Sequence, residues 1–206
     1  MNKDGREIAS MGIAPGDYEN NGLIDFYVTD FGDDYKVLFH NDGDVSFTDV
    51  SAKAGVSDPG AYYGFTAIFA DVNNDGRPDL LVANDSEPNY LYINKGDGTF
   101  DDQSYVSGFA LNNDGREIAS MGLAVGDYMN NGLLDLLVTD FSDDYKALYR
   151  NDGEASFTDV ASEAGIAQIP VPFVGWGGGI VDYDNDGWKD LLMVNGHVYP
   201  QVDEHD

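Results

Sequence analysis

Apolar residues in this chain come in short runs. Ser10–Ala14, Phe26–Thr29, Tyr35–Phe39 and Ser46–Val50 supply Val, Ile, Phe, Tyr and Thr in stretches too short for helices. Turn-forming residues separate them, including Asn41-Asp-Gly-Asp44 before the last run. The pattern predicts four short strands per unit, with single helical turns at Ala52–Gly55 and Ser162–Gly165 between units.

The unit then recurs. Its copies span about 1–56, 57–111, 112–166 and, incompletely, 167–206. A second period of 110 residues lies on top: Asn2–Val56 matches Asn112–Ile166 at roughly two-thirds of positions. Both copies carry Asp-Gly-Arg-Glu-Ile-Ala-Ser-Met-Gly (Asp4–Gly12, Asp114–Gly122) and Ser-Phe-Thr-Asp-Val (Ser46–Val50, Ser156–Val160). A two-unit block has been duplicated over an older single-unit repeat.

Four-stranded units in tandem predict an all-β chain of β-propeller blades, each of four antiparallel strands. A solenoid coil is usually shorter than this unit, and a sandwich would not repeat its sequence. About three and a half blades are expected, because the fourth unit offers only Gly177–Val181 and Leu191–Val194 around its loop. That predicts a partial propeller or half of an oligomeric ring, with a homodimer completing the ring.

One loop per unit carries the chemistry. The loops start at Asp17, Asp71, Asp127 and Asp182, which are 54, 56 and 55 residues apart. Counting the first Asp as position 1, side-chain oxygens fall at positions 1, 3, 5 and 9, and position 7 offers a backbone carbonyl. The first loop gives Asp17, Glu19, Asn21, Leu23 and Asp25; the second gives Asp71, Asn73, Asp75, Arg77 and Asp79. The third gives Asp127, Asn131, Leu133 and Asp135; the fourth gives Asp182, Asp184, Asp186, Trp188 and Asp190. Met129 at position 3 makes the third the weakest set, since a thioether is a poor ligand for a hard cation.

Alternate residues converge if the chain curls around an ion, and glycine at position 6 (Gly22, Gly76, Gly132, Gly187) permits the turn. An all-oxygen donor set selects Ca²⁺, in up to four sites, over zinc or copper. Magnesium demands tighter octahedral geometry and keeps more water. Two carboxylates about 4 Å apart repel by about 4 kcal/mol at an effective dielectric near 20, and a divalent ion reverses that repulsion. The same residues also favour solvated turns without metal. An EF-hand is excluded, because position 12 is Val28, Val82, Val138 or Met193 rather than a bidentate Glu.

Charge narrows the partners. The chain has 206 residues and a net charge of −28, so ten basic residues cannot neutralise a nucleic acid backbone or dock on an anionic membrane. Its 42% hydrophobic content is enough for a packed core. No cysteine is present, which excludes disulfides and thiolate chemistry. No stretch is long and apolar enough to predict a membrane-inserted helix, and no signal peptide opens the sequence.

The Asp-x-Asp/Asn-x-Asp/Asn-Gly-x-x-Asp loop between short strands resembles the FG-GAP/VCBS repeat family, which includes the integrin α-subunit propeller. Gly126–Asp140, Leu148–Gly153 and Phe157–Gly165 are similar to bacterial ASPIC/UnbV-type repeats. The resemblance covers nearly the whole chain. It implies calcium at these loops between the two inner strands of each blade, seven or eight blades in a full ring, and an extracellular, periplasmic or cell-surface setting. Met129 departs from the loop pattern.

No catalytic constellation emerges. His40, His197 and His205 occupy unrelated repeat positions. Asp33-Asp34 and Asp143-Asp144 read as solvated turn acids. Tyr62, Tyr63, Trp176 and Tyr199 suit packing between blades better than ligand stacking. The expectation is a non-enzymatic recognition or structural scaffold for a protein or glycan partner. The alternatives are a lectin-like or polysaccharide-processing propeller, or a self-assembling half-propeller.

Overall fold

The structure is a computed structural model that describes residues 9–31, 35–58, 60–141, 145–167 and 173–198. Tyr199, His205 and both adjacent-acid pairs lie outside these residues. Among the described residues, fourteen strands form three four-stranded antiparallel sheets and one two-stranded sheet. Blade 1 is β1 (Ser10–Gly16), β2 (Asp25–Asp30), β3 (Val37–Gly43) and β4 (Ser46–Asp49). Blade 2 is β5 (Tyr63–Ala70), β6 (Asp79–Asp85), β7 (Tyr90–Asn94) and β8 (Phe100–Asp102). Blade 3 is β9 (Ser120–Gly126), β10 (Asp135–Asp140), β11 (Ala147–Asn151) and β12 (Phe157–Asp159). The fourth sheet pairs β13 (Val174–Val181) with β14 (Asp190–Gly196). Strands follow sequence order within each sheet, and β1, β5, β9 and β13 pack side by side. This is a partial propeller, as the repeat predicts.

The first helical turn forms one residue earlier than expected, as α1 (Ser51–Ala54), capped by Gly55 at φ 80°. The second does not form. There the Gly165 N–H bonds back to the Ser162 carbonyl, three residues away, so Ser162–Gly165 is a turn rather than a helix.

Alternation along each strand divides its side chains between two neighbouring blades. From blade 2, Leu80 and Val82 pack with Tyr27 and Leu38 of blade 1, whereas Leu81 and Ala83 pack with Leu136 and Val138 of blade 3. Leu137 and Leu148 of blade 3 meet Ile180, Leu191 and Met193. The inner blades are therefore covered on both faces, and every residue of β10 is buried. Position 12 of each loop lies within these strands, in keeping with its apolar side chain. Two of the aromatics at unit boundaries also pack: Tyr62 stacks on Tyr90 at 5.5 Å, and Tyr63 meets Phe31 across the first junction at 4.7 Å.

The junction between blades 1 and 2 contains a buried ion pair. Lys36 and Asp58 are both shielded completely from solvent and form an ion pair. The Lys36 ammonium also donates to the Tyr62 carbonyl at 2.8 Å and lies 5.5 Å from the Tyr90 ring centre. Asp58 accepts hydrogen bonds from the Tyr90 hydroxyl (2.8 Å) and the Tyr62 N–H (2.9 Å). Burial lowers the Lys36 pKa, and Asp58 opposes that shift. Gly64 provides the space, since a Cβ there would overlap the lysine Cε.

Candidate metal centre

The four acidic loops each join the first two strands of a sheet, and all four adopt the same turn. The Asp at position 1 holds it with both oxygens. Asp17 accepts from the N–H groups of Asn21 (2.9 Å) and Gly22 (2.7 Å). Asp71 accepts from Asp75 (3.0 Å) and Gly76 (2.8 Å), and Asp127 from Asn131 (3.0 Å) and Gly132 (2.7 Å). Asp182 accepts from Asp186 (3.1 Å) and Gly187 (3.0 Å). The position-5 side chain then accepts from the position-7 N–H of Leu23, Arg77, Leu133 or Trp188. The glycines at position 6 have φ values of 84–92°, the left-handed region where a side chain would be strained.

Position 9 anchors each loop to its sheet. Asp25, Asp79 and Asp135 are wholly buried. Asp79 accepts from Asn94 N–H (2.8 Å) and Val72 N–H (3.1 Å), and Asp135 from Asn151 (2.8 Å) and Tyr128 (3.1 Å). Asp25 accepts from Asn41 at 2.8 Å. Burial raises the pKa of all three above the usual carboxylate value, against these hydrogen bonds. Asp79 is pushed up to about 6, with the charges of Asp75 and Asp71 adding to the shift.

A pH dependence follows for the metal-free protein. Because the Asp79 pKa is higher folded than unfolded, its contribution is fully present below about 3.8 and is lost as pH rises to about 6. In chelator, the stability of the wild type relative to Asp79→Asn is expected to fall across that window. Denaturant midpoints measured through it check this, and a flat difference would exclude it.

The loops differ in how far their acids converge. In the fourth, carboxylate oxygens of Asp182, Asp184 and Asp190 lie within 4.8 Å of one another, the one such acidic triplet among the described residues. Asp186 stands outside the triplet and holds the Trp188 N–H instead. In the second loop the Arg77 guanidinium pairs with Asp75 at 2.5 Å, and the Asn73 amide donates to Asp75 at 2.8 Å. In the first loop Asn21 donates to Glu19 at 3.1 Å, and His40 Nδ1 lies 3.2 Å from Asp25 and 3.6 Å from Glu19. Met129 of the third loop is exposed. The oxygen-only donor set of the fourth loop fits a hard divalent cation.

Sequence reasoning missed two sets of residues here. His40 beside the first loop has no counterpart in the other repeats to announce it. Position 4 did leave a signal, because it is Asn in all four loops. Asn20, Asn74, Asn130 and Asn185 adopt φ of 53–61°, which asparagine tolerates. The first three reach across to the next loop. Asn20 donates to the Gly76 carbonyl (3.0 Å), Asn74 to Gly132 (3.1 Å) and Asn130 to Gly187 (2.7 Å). A second tie runs the other way: Asn94 donates to Tyr18 O (2.7 Å) and Asn151 to Val72 O (2.8 Å). The loops thus form one hydrogen-bonded rim.

Tandem four-stranded sheets whose inner strands are joined by an acidic loop define a propeller-repeat protein. The FG-GAP-like repeat family matches residues 17–82, 71–138 and 127–193, and the chain belongs to that family. It is 28% identical over 174 residues to cartilage acidic protein 1 of Homo sapiens and of Mus musculus, covering 80% of this chain and 25% of each relative. Against the Xenopus tropicalis protein of the same name it is 24% identical over 217 residues, covering 92% of this chain and 29% of that one. The chain therefore spans about a quarter of the length of these relatives.

Proposed function

We propose that this chain is a calcium-binding propeller module that acts as a non-catalytic scaffold for a protein or glycan partner. The observation that carries the reading is the convergence of Asp182, Asp184 and Asp190 on a turn that the other three loops reproduce. Bound calcium would neutralise these carboxylates and stiffen the loop rim, leaving more variable loops to meet the partner. In the fourth site Asp182, Asp184 and Asp190 would hold the ion. The corresponding acids of the other loops are Asp17, Glu19 and Asp25; Asp71 and Asp79, with Asn73 at position 3; and Asp127 and Asp135. An extracellular, periplasmic or cell-surface setting suits sites of this kind, because extracellular calcium modules work at about 10⁻⁴–10⁻³ M.

Titration calorimetry with calcium tests the reading. The fourth site is expected to bind most tightly and the third most weakly, because affinity follows ligand charge. Asp184→Ala should weaken the tightest site, and Met129→Asp should strengthen the third. No calcium heat in a folded, metal-stripped sample would overturn the proposal, and tighter binding at the third loop than at the fourth would overturn the ranking.

A further inference from the structure

The first acidic loop has a neighbour that the second and third lack. His40 lies on β3 immediately before Asn41, whose N–H holds Asp25. Its equivalents in blades 2 and 3 are Ile93 and Arg150. Ile93 packs beside the core, and Arg150 turns to Asp152 at 2.6 Å. In blade 1 the imidazole faces the loop instead. Its Nδ1 stands 3.2 Å from Asp25 Oδ1 and 3.6 Å from Glu19 Oε2. These acids fill positions 9 and 3, the positions of Asp190 and Asp184 in the convergent triplet of the fourth loop. The buried Tyr18 ring meets the imidazole edge-on at 6.3 Å and limits its tilt.

Neither contact is a hydrogen bond. Nδ1 is enclosed and, although near Oδ1, is out of line for one. Asp25 is wholly buried, and its Oδ2 also has no hydrogen-bond partner. In Asp79, Asp135 and Asp190 that oxygen accepts the N–H of position 2, from Val72, Tyr128 and Tyr183. The Tyr18 N–H approaches Asp25 without reaching that geometry. A buried acceptor left open is costly, and a cation would satisfy it. The spacing fits as well. Two ligands that each lie about 2.0–2.2 Å from one zinc ion stand about 3.0–3.4 Å apart. Nδ1 and Oδ1 have that separation, and the Glu19 side chain, 32% exposed, has room to close its remaining gap.

We infer that the first loop is a mixed nitrogen–oxygen site for a divalent cation of the zinc type, held by His40 Nδ1, Asp25 and Glu19. The inference rests on the reading of these loops as ion sites, and it changes which ion the first one prefers. Imidazole nitrogen suits zinc, whereas calcium takes oxygen. Three protein ligands leave zinc a position for water. Among the described residues, His40 is the one histidine paired with a loop acid. The other loops therefore keep their preference for calcium. In calcium alone the first loop still offers its oxygens; zinc would displace calcium there and leave the fourth loop untouched.

The test uses the metal-stripped full chain, zinc chloride as the probe and His40→Ala, a change at a partly exposed side chain. Calorimetry in excess calcium is expected to show a tight zinc site in the wild type. His40→Ala should weaken it by about 100-fold or more, since losing a residue that merely orients a ligand already costs about 10–100-fold. Glu19→Gln should weaken it less. Calcium heat at the fourth loop should be the same in all three proteins. NMR of the wild-type imidazoles needs no variant and should show the His40 ring signals moving as zinc is added. Zinc that binds His40→Ala equally well, or leaves the His40 signals in place, is adventitious and overturns the inference. So does calcium binding with no tight zinc site, a result that leaves the calcium reading intact. Zinc held through His40 in a chain that gives no calcium heat means the reverse: the first site stands and the calcium reading falls.

Discussion

Asp58→Ala is expected to lower the unfolding free energy by about 3–5 kcal/mol, the usual cost of leaving one partner of a buried ion pair without the other. With Asp58 gone, the charge of Lys36 is offset only by the more weakly acting Asp30. The lysine side chain is wholly buried in the junction between blades 1 and 2, and the Tyr62 carbonyl cannot neutralise an ammonium. The variant also removes the acceptor of the Tyr90 hydroxyl. Part of the loss should be recovered by raising the pH, because burial already lowers the Lys36 pKa and the loss of Asp58 removes the main opposing influence. Adding Lys36→Met should restore much of the stability, since an apolar side chain of similar length needs no counter-charge. Urea denaturation of the single and double variants decides it. A single variant within about 1 kcal/mol of wild type would mean that the pair carries no more than a surface contact does.

Calcium is expected to move stability further still. A site that binds only the folded chain contributes about 2.7 kcal/mol at a hundredfold excess of free ion over its Kd. The first, second and fourth loops together would then supply about 8 kcal/mol on the same basis. Exhaustive chelation should therefore lower the melting temperature sharply, and restoring calcium should reverse the change. A melting curve that ignores chelator would remove the basis for metal in these loops.

The strands and loops were legible because a repeat exposes its own grammar. Leu80 and Leu136 recur at the same place after the loop, so a short apolar run that would be ambiguous alone becomes a strand by comparison. The loops could be placed to the residue because position 1 aspartate and position 6 glycine are both demanded by the turn. What escaped was the part set by neighbours in space. Lys36 reads as a surface residue in any linear pattern, and only the packing of blade 1 on blade 2 encloses it. Asp186 fills a ligand position by spacing yet lies outside the acidic triplet, and its carboxylate accepts the Trp188 N–H within the turn. Ser162–Gly165 repeats most of the helical turn at Ser51–Ala54, but one amide bonds to a nearer carbonyl.

The enclosed lysine also bears on how such a chain can grow. Lys146, the equivalent of Lys36, is likewise fully buried and crosses from blade 3 to the fourth sheet, where it donates to the Phe173 carbonyl at 2.8 Å. The same position in blade 2 is Asn89, whose side chain turns back to Asn84 N–H within its own sheet. Odd and even junctions are thus not interchangeable: the first and third are bolted by an ammonium, and the second is not. A pair of blades joined by its bolt is the smallest piece that can be copied, moved or deleted without stranding a charge. The 110-residue period of this chain has the length of that pair, so its later duplication carried one bolted doublet intact.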